Sequence, residues 1–203
     1  MGPMPTSFVL DAAARAALFT DARSNTHFDD QPVDVETIRE VWELVKWGPT
    51  GNNTVPMRLA IAQSDEARAA VIDNALPGNR PKLERAPLLL VAARDERFHD
   101  SIPSLGGSES AAARLDEDPV RRERMSHTGT MLQAGYFIIG LRAAGLAVRP
   151  YGGFDKAGMD AALLSGTSWR SEVLFGVGYP HPEDHGAGER QGRMSADQAV
   201  TVL

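Results

Sequence analysis

The chain has 203 residues, 42% of them hydrophobic and 24% charged, which is enough for one globular domain with a sizeable core. A net charge of -6 and a pI near 5.4 argue against nucleic acid or an anionic membrane as partner and leave room only for a local basic pocket. With no cysteine, disulfides, thiol nucleophiles and cysteine-ligated zinc are excluded, which fits a cytoplasmic address.

Residues 1–7 lack the basic patch and apolar run of a signal peptide and read as a disordered N-terminus ahead of a single domain over residues 8–203. The alanine-rich stretch 8–22 repeats Leu10, Ala14, Leu18 and Phe19 at helical spacing, predicting a helix packed by its small face. A polar, basic segment follows, Arg23-Ser24-Asn25-Thr26-His27-Phe28. The Asp29-Asp30 pair beyond it reads as a solvated connection.

A second helix is expected from an Asp34 cap, with Val35, Ile38, Val41, Trp42 and Val45 as its apolar face. Gly48 and Pro49 stop it. The loop Pro49-Thr50-Gly51-Asn52-Asn53-Thr54-Val55-Pro56 then leads into a buried strand at Leu59, Ala60, Ile61 and Ala62. Small hydrogen-bonding side chains in this loop suit a planar heterocycle with edge donors and acceptors. The plainer account is that Asn52 and Asn53 tolerate left-handed turn geometry.

Ser64 caps a further helix that Pro77-Gly78 ends, and residues 88–93 form an apolar run without alternation, a central strand covered on both faces. Residues 98–118 are the least readable and suggest a mobile loop before an alanine-bearing helix, a place for substrate contact. One long helix is expected over 120–146, central and buried, with Gly129, Ala134, Gly135 and Gly140 permitting close contact with this chain or a second copy. Its apolar part, 131–146, is too short to span a bilayer and carries Gln133 and Arg142.

Tyr151-Gly152-Gly153-Phe154-Asp155 follows. Its paired glycines let backbone N–H groups approach a ligand, and Asp155 caps the next helix. Residues 172–179 read as another buried strand. Ser195 and Gln198 form a capping box before the last residues. His181 and His185 have chelate spacing but lie among prolines and acids in a surface loop, so no metal is expected. No G-x-S-x-G elbow, P-loop or G-x-G-x-x-G is present.

The motif Pro49-Thr50-x-x-Asn53-x-x-Pro56 before a strand resembles a flavin-contact loop of the nitroreductase family of FMN oxidoreductases, and the likeness extends from about Thr20 to the C-terminus. Lys46-Trp47-Gly48-Pro49-Thr50, Gly78-Asn79-x-x-Lys82 and Gly152-Gly153-Phe154-Asp155 look most like the branch that includes malonic semialdehyde reductase and proteins named NADH dehydrogenase or NAD(P)H nitroreductase. Asn79 and Lys82 are read as helix-end structure.

The resemblance implies an α+β fold: a mixed β-sheet surrounded by helices, with the long helix at a homodimer interface and one FMN at each interface. It further implies that Arg23 and Ser24 contact the phosphate, with Arg193 and also Arg190 closing on it late in the chain. Asn53 would hold the pyrimidine edge, with Thr50 also counted among the cofactor-binding residues, and the backbone of Gly152 and Gly153 would approach N5 and O4. No side chain would act as acid or base. Hydride would pass from NADH or NADPH through the flavin to a small acceptor in ping-pong fashion.

Three departures stand out: Thr26 where a second basic residue is frequent, Val55 for a frequent glutamine, and Gly152 for an acid. Two rival functions are a flavin-binding or redox-sensing module with little turnover, and a flavin-free hydrolase using His181, His185 or Glu109.

Overall fold

In the computed structural model, which describes residues 9–184 and 189–203, Asp11 caps the first helix, α1 (Ala12–Arg15), by accepting from the Ala14 N–H. The chain then widens into a π-helical turn, Ala16–Thr20. The helix expected over 8–22 is thus shorter and changes winding midway, and residue 8 lies outside the described residues. It does not bury a face: Leu10 and Phe19 stay exposed, because its alanines offer too little apolar area.

Asp34 caps α2 (Val35–Val45), whose Ile38, Val41 and Val45 are buried. The Pro49–Pro56 loop feeds β1 (Met57–Ala62). Ser64 caps α3 (Asp65–Asn74), and Asn79 precedes the short α4 (Arg80–Glu84). Then comes β2 (Leu88–Asp95), buried at almost every position.

The least readable stretch is folded. It makes two 3-10 turns, Phe98–Ser101 and Pro103–Leu105, and then α5 (Glu109–Asp116) around a small core of Phe98, Ile102 and Leu115. His99 is buried there, with Nε2 3.1 Å from an Asp116 carboxylate oxygen, and this contact chiefly holds the Asp116 carboxyl below its ordinary value.

Asp118 caps α6 (Pro119–Ala143). A left-handed Gly145 turns the chain into β3 (Ala147–Tyr151), a strand absent from the sequence reading because Arg149 and Pro150 interrupt its apolar pattern. The proline is tolerated since β3 is an edge. Asp155 caps α7 (Lys156–Leu163), β4 (Trp169–Gly178) follows, and Gln198 reaches back to the Ser195 N–H to open α8 (Ala196–Ala199).

The sheet order is β1-β2-β4-β3, and all three pairings are antiparallel rather than mixed. Alternation along β2 divides the core. Leu88, Leu90 and Ala92 meet α2 and α6, while Leu89 and Val91 meet α3 and α7. A bulge at Ala92/Ala93 leaves Glu172 as the extra residue of β4.

The long helix is buried on one face only: Phe137 and Leu141 are inside, whereas Met131, Leu132 and Tyr136 are exposed. Gly140 and Gly129 serve this chain's own packing. A Cβ on Gly140 would overlap Val45 Cγ1, and one on Gly129 would come within 2.7 Å of Pro56 Cγ. Gly135 opens outward with nothing within 4 Å. Gly140→Ala is therefore expected to destabilise the fold by about 1–2 kcal/mol, since overpacking against a stiff valine exceeds the ~1 kcal/mol gained in helix propensity. Urea unfolding checks the sign, and a stabilised variant would refute the packing account.

Candidate functional site

Four of the residues singled out in the sequence converge. Arg23, Ser24, Arg190 and Arg193 line one cavity of about 330 Å³ beside the start of β3. Two arginines that sequence reasoning missed, Arg142 from α6 and Arg149 from β3, line it as well, and among the described residues Glu189 is the one acid at its wall. Arg149 is the one charge in β3 and Arg142 the one charge in the apolar second half of α6, which was the available signal.

The same guanidiniums hold the backbone around the Arg23-Ser24 motif. Arg142 Nη1 donates to the Leu18 carbonyl at 3.1 Å, Arg190 Nη2 to Ala22 at 2.9 Å and Arg149 Nη1 to Asn25 at 3.4 Å. Arg193 Nη1 donates to the Gln191 and Gly192 carbonyls. Burial pushes the Arg142 guanidinium below its ordinary value. Five guanidiniums facing one carboxylate, with a serine hydroxyl among them, form a donor set suited to a dianionic phosphate.

Thr50 and Asn53 lie elsewhere. The loop before β1 puts Asn52 and Asn53 at φ 54° and Val55 at φ 41°, so the left-handed geometry expected of the asparagines is adopted. At Val55, β-branched, such a φ carries strain of about 1–3 kcal/mol. Thr50 Oγ1 accepts from the Val55 N–H, and Asn53 Nδ2 donates to the Leu105 carbonyl at 3.1 Å, tying the loop to the second 3-10 turn.

The glycine pair is half structural. The Gly153 carbonyl accepts from the Leu76 N–H and from Asn79 Nδ2, and a Cβ on Gly153 would come within 2.9 Å of that amide. Asn79 is thus a helix-end residue, as expected, and one that also braces the pair. Gly152 is exposed, with nothing within 4 Å of its missing Cβ.

Register measures the distances between these parts. Met57, where the Thr50–Asn53 loop ends, pairs with Arg94, which pairs with Arg170 on β4; Arg149 pairs with Gly176. The loop and the arginine cavity are therefore about six residues, or ~20 Å, apart along the strands, and three strand spacings, ~14 Å, apart across them. Gly152 follows β3 on the same sheet edge as Arg149, three residues from it and, along the strands, half-way toward the end where the loop lies.

Among the described residues, His181, Asp29 and Thr26 do not line this cavity. His181 accepts from the Glu183 N–H, Asp29 N–H donates to the Tyr179 carbonyl, and His185 lies outside the described residues. Thr26 is committed to Asp184, which accepts from its N–H and its hydroxyl. Among the described residues, no helix is long and apolar enough to cross a membrane.

Residues 20–179 match the nitroreductase family. A Streptomyces coelicolor protein provisionally named NADH dehydrogenase/NAD(P)H nitroreductase is 38% identical over 200 residues, covering 98% of this chain and 96% of its own. A Leptothrix cholodnii protein of the same provisional name is 40% identical over 195 residues, 96% of this chain and 98% of its own. In fold, a crystal structure of an Exiguobacterium sibiricum protein provisionally named a nitroreductase, in complex with FMN, superposes with TM-score 0.80 at 16% identity over 96% of this chain and 98% of that one. From the ordered motifs, the fold they build and these full-length matches, the chain belongs to the nitroreductase family.

Proposed function

We propose that the chain is an FMN-dependent NAD(P)H oxidoreductase that works as a homodimer, with each flavin between two copies. The observation that carries this reading is the arginine cavity built around Arg23 and Ser24 in a chain of this family. Arg23, Ser24, Arg190 and Arg193 hold the phosphate, and Gly152 offers an open backbone approach farther along the same sheet edge. Asn53 and Thr50, on the far side of the sheet, reach a ring only from a second copy.

Support for the second copy comes from exposed apolar groups. Met131, Leu132 and Tyr136 on α6 adjoin the end of α2, where Tyr136 packs on Gly48 and the neighbouring Leu44 and Trp47 are 61% and 82% exposed. A patch of this kind on a monomer marks an interaction surface.

Bound FMN would supply hydride transfer, taking electrons from NADH or NADPH and delivering them in a second half-reaction to a small acceptor. The acceptors we infer are an aldehyde such as malonic semialdehyde, reduced to 3-hydroxypropionate, or a nitro or quinone compound. The protein's own task is to bind and orient, which accounts for the lack of a nucleophile–base pair among the site residues.

The visible spectrum of the purified protein, followed by anaerobic NADH and then NADPH, tests the reading. Flavin bands that bleach with a nicotinamide donor and recover with an acceptor are expected. Bleaching without turnover on any acceptor would favour a flavin-binding sensor. A colourless protein that takes up no added FMN would end the flavin reading.

A further inference from the structure

Arg149 occupies an unusual place: a half-buried arginine in the middle of a short edge strand, between buried Val148 and exposed Pro150. Its Cζ lies 5.7 Å from the centre of the Tyr151 ring, which carries the aliphatic stem, and its guanidinium arrives at the cavity holding Arg23 and Ser24. There it makes a single long bond, 3.4 Å, to the carbonyl of Asn25, the residue after the serine. A guanidinium presents five donors in a planar fork, and one weak carbonyl contact is poor return for half-burying it.

The neighbouring position explains what the fork is for. Thr26 brings no charge, and its N–H and hydroxyl are held by Asp184 on the far side of the turn, together with the His27 N–H. The segment after Ser24 therefore contributes no cation of its own to the cavity, while β3 delivers one from across the sheet edge.

We propose that Arg149 is a direct ligand of the flavin phosphate, a cationic group supplied by β3 in place of one on the Arg23–Thr26 segment. This rests on the FMN reading above. Its class of ligand is a phosphate monoester, recognised by the fork bidentately.

The test compares FMN with riboflavin, which lacks the phosphate, for the full-length chain and for Arg149→Met, a substitution that keeps the apolar stem over Tyr151. Fluorescence titration of each flavin is the readout. Arg149→Met is expected to weaken FMN about tenfold to a hundredfold while riboflavin changes by less than about threefold. Arg149→Lys, which keeps a point charge without the fork, should retain more FMN affinity than Arg149→Met.

Parallel weakening of both flavins would reduce Arg149 to a backbone tether and overturn the proposal, as would an unchanged FMN-to-riboflavin ratio or equal behaviour of the methionine and lysine variants. A wild-type chain that does not prefer FMN to riboflavin fails differently, because it removes the phosphate reading of the whole cavity.

Discussion

Glu172→Ala is expected to destabilise the protein by about 3 kcal/mol at neutral pH, the scale for removing one partner of a buried ion pair. Glu172 is the bulged residue of β4, just past the point where β3 leaves the sheet, and its side chain is 2% exposed. Arg94 donates to Oε1 at 2.9 Å, His127 Nδ1 lies 3.0 Å from the same oxygen, and Lys156 reaches Oε2. Removing the carboxylate leaves Arg94, 15% exposed, with only the longer contacts to Glu96 and Glu123, both 3.3 Å.

The pH dependence has a definite sign. Burial pushes the Glu172 carboxyl up, but hydrogen bonds and charge from Lys156 and His127 more than offset it, so the group sits below its ordinary value of 4.5. A depressed carboxyl contributes stability that is complete above the unfolded value and is lost as pH falls through the folded one. Urea unfolding of wild type and variant should therefore differ most above about pH 5 and converge in acid. A difference below about 1 kcal/mol at pH 7, or one that persists unchanged in acid, would show that the cluster is not coupled to folding in this way.

Arg23→Ala is expected to lower FMN affinity about a hundredfold while turnover of the FMN-loaded enzyme changes by less than about threefold, because a phosphate contact positions the cofactor and takes no part at the reacting atoms. The check is flavin content after purification, then titration with FMN, then turnover at saturating FMN. The arginine belongs to the motif that Arg142, Arg149 and Arg190 hold by its flanking carbonyls, so the backbone stays tethered when the side chain is lost. Normal flavin retention would take Arg23 out of the site.

Much of this was legible in the sequence where local chemistry decides structure. Asp34, Ser64 and Asp155 announced helix starts, and the unbroken apolar run of β2 announced a strand covered on both faces. Two kinds of feature escaped. β3 is carried by its pairing to β4, and Arg149 and Pro150 hide it locally; the core around Phe98 depends on α5 and Met125 closing over it. The arginine cavity was legible in Arg23, Ser24, Arg190 and Arg193, which the sequence singles out and the fold brings together. Arg142 and Arg149 escaped because they come from elements read only as core.

The opposed placement of the Asn53 loop and the arginine cavity has a thermodynamic consequence. A ligand that needs groups from both ends of the sheet contacts two chains at once under the proposed arrangement, so its binding free energy is shared with association. Linkage then makes the two reciprocal: flavin tightens the subunit contact by the same factor by which the contact tightens flavin. Dilution would expel the cofactor, and loss of cofactor would loosen the pair, so the enzyme's working concentration of protein is itself a determinant of how much of it carries flavin.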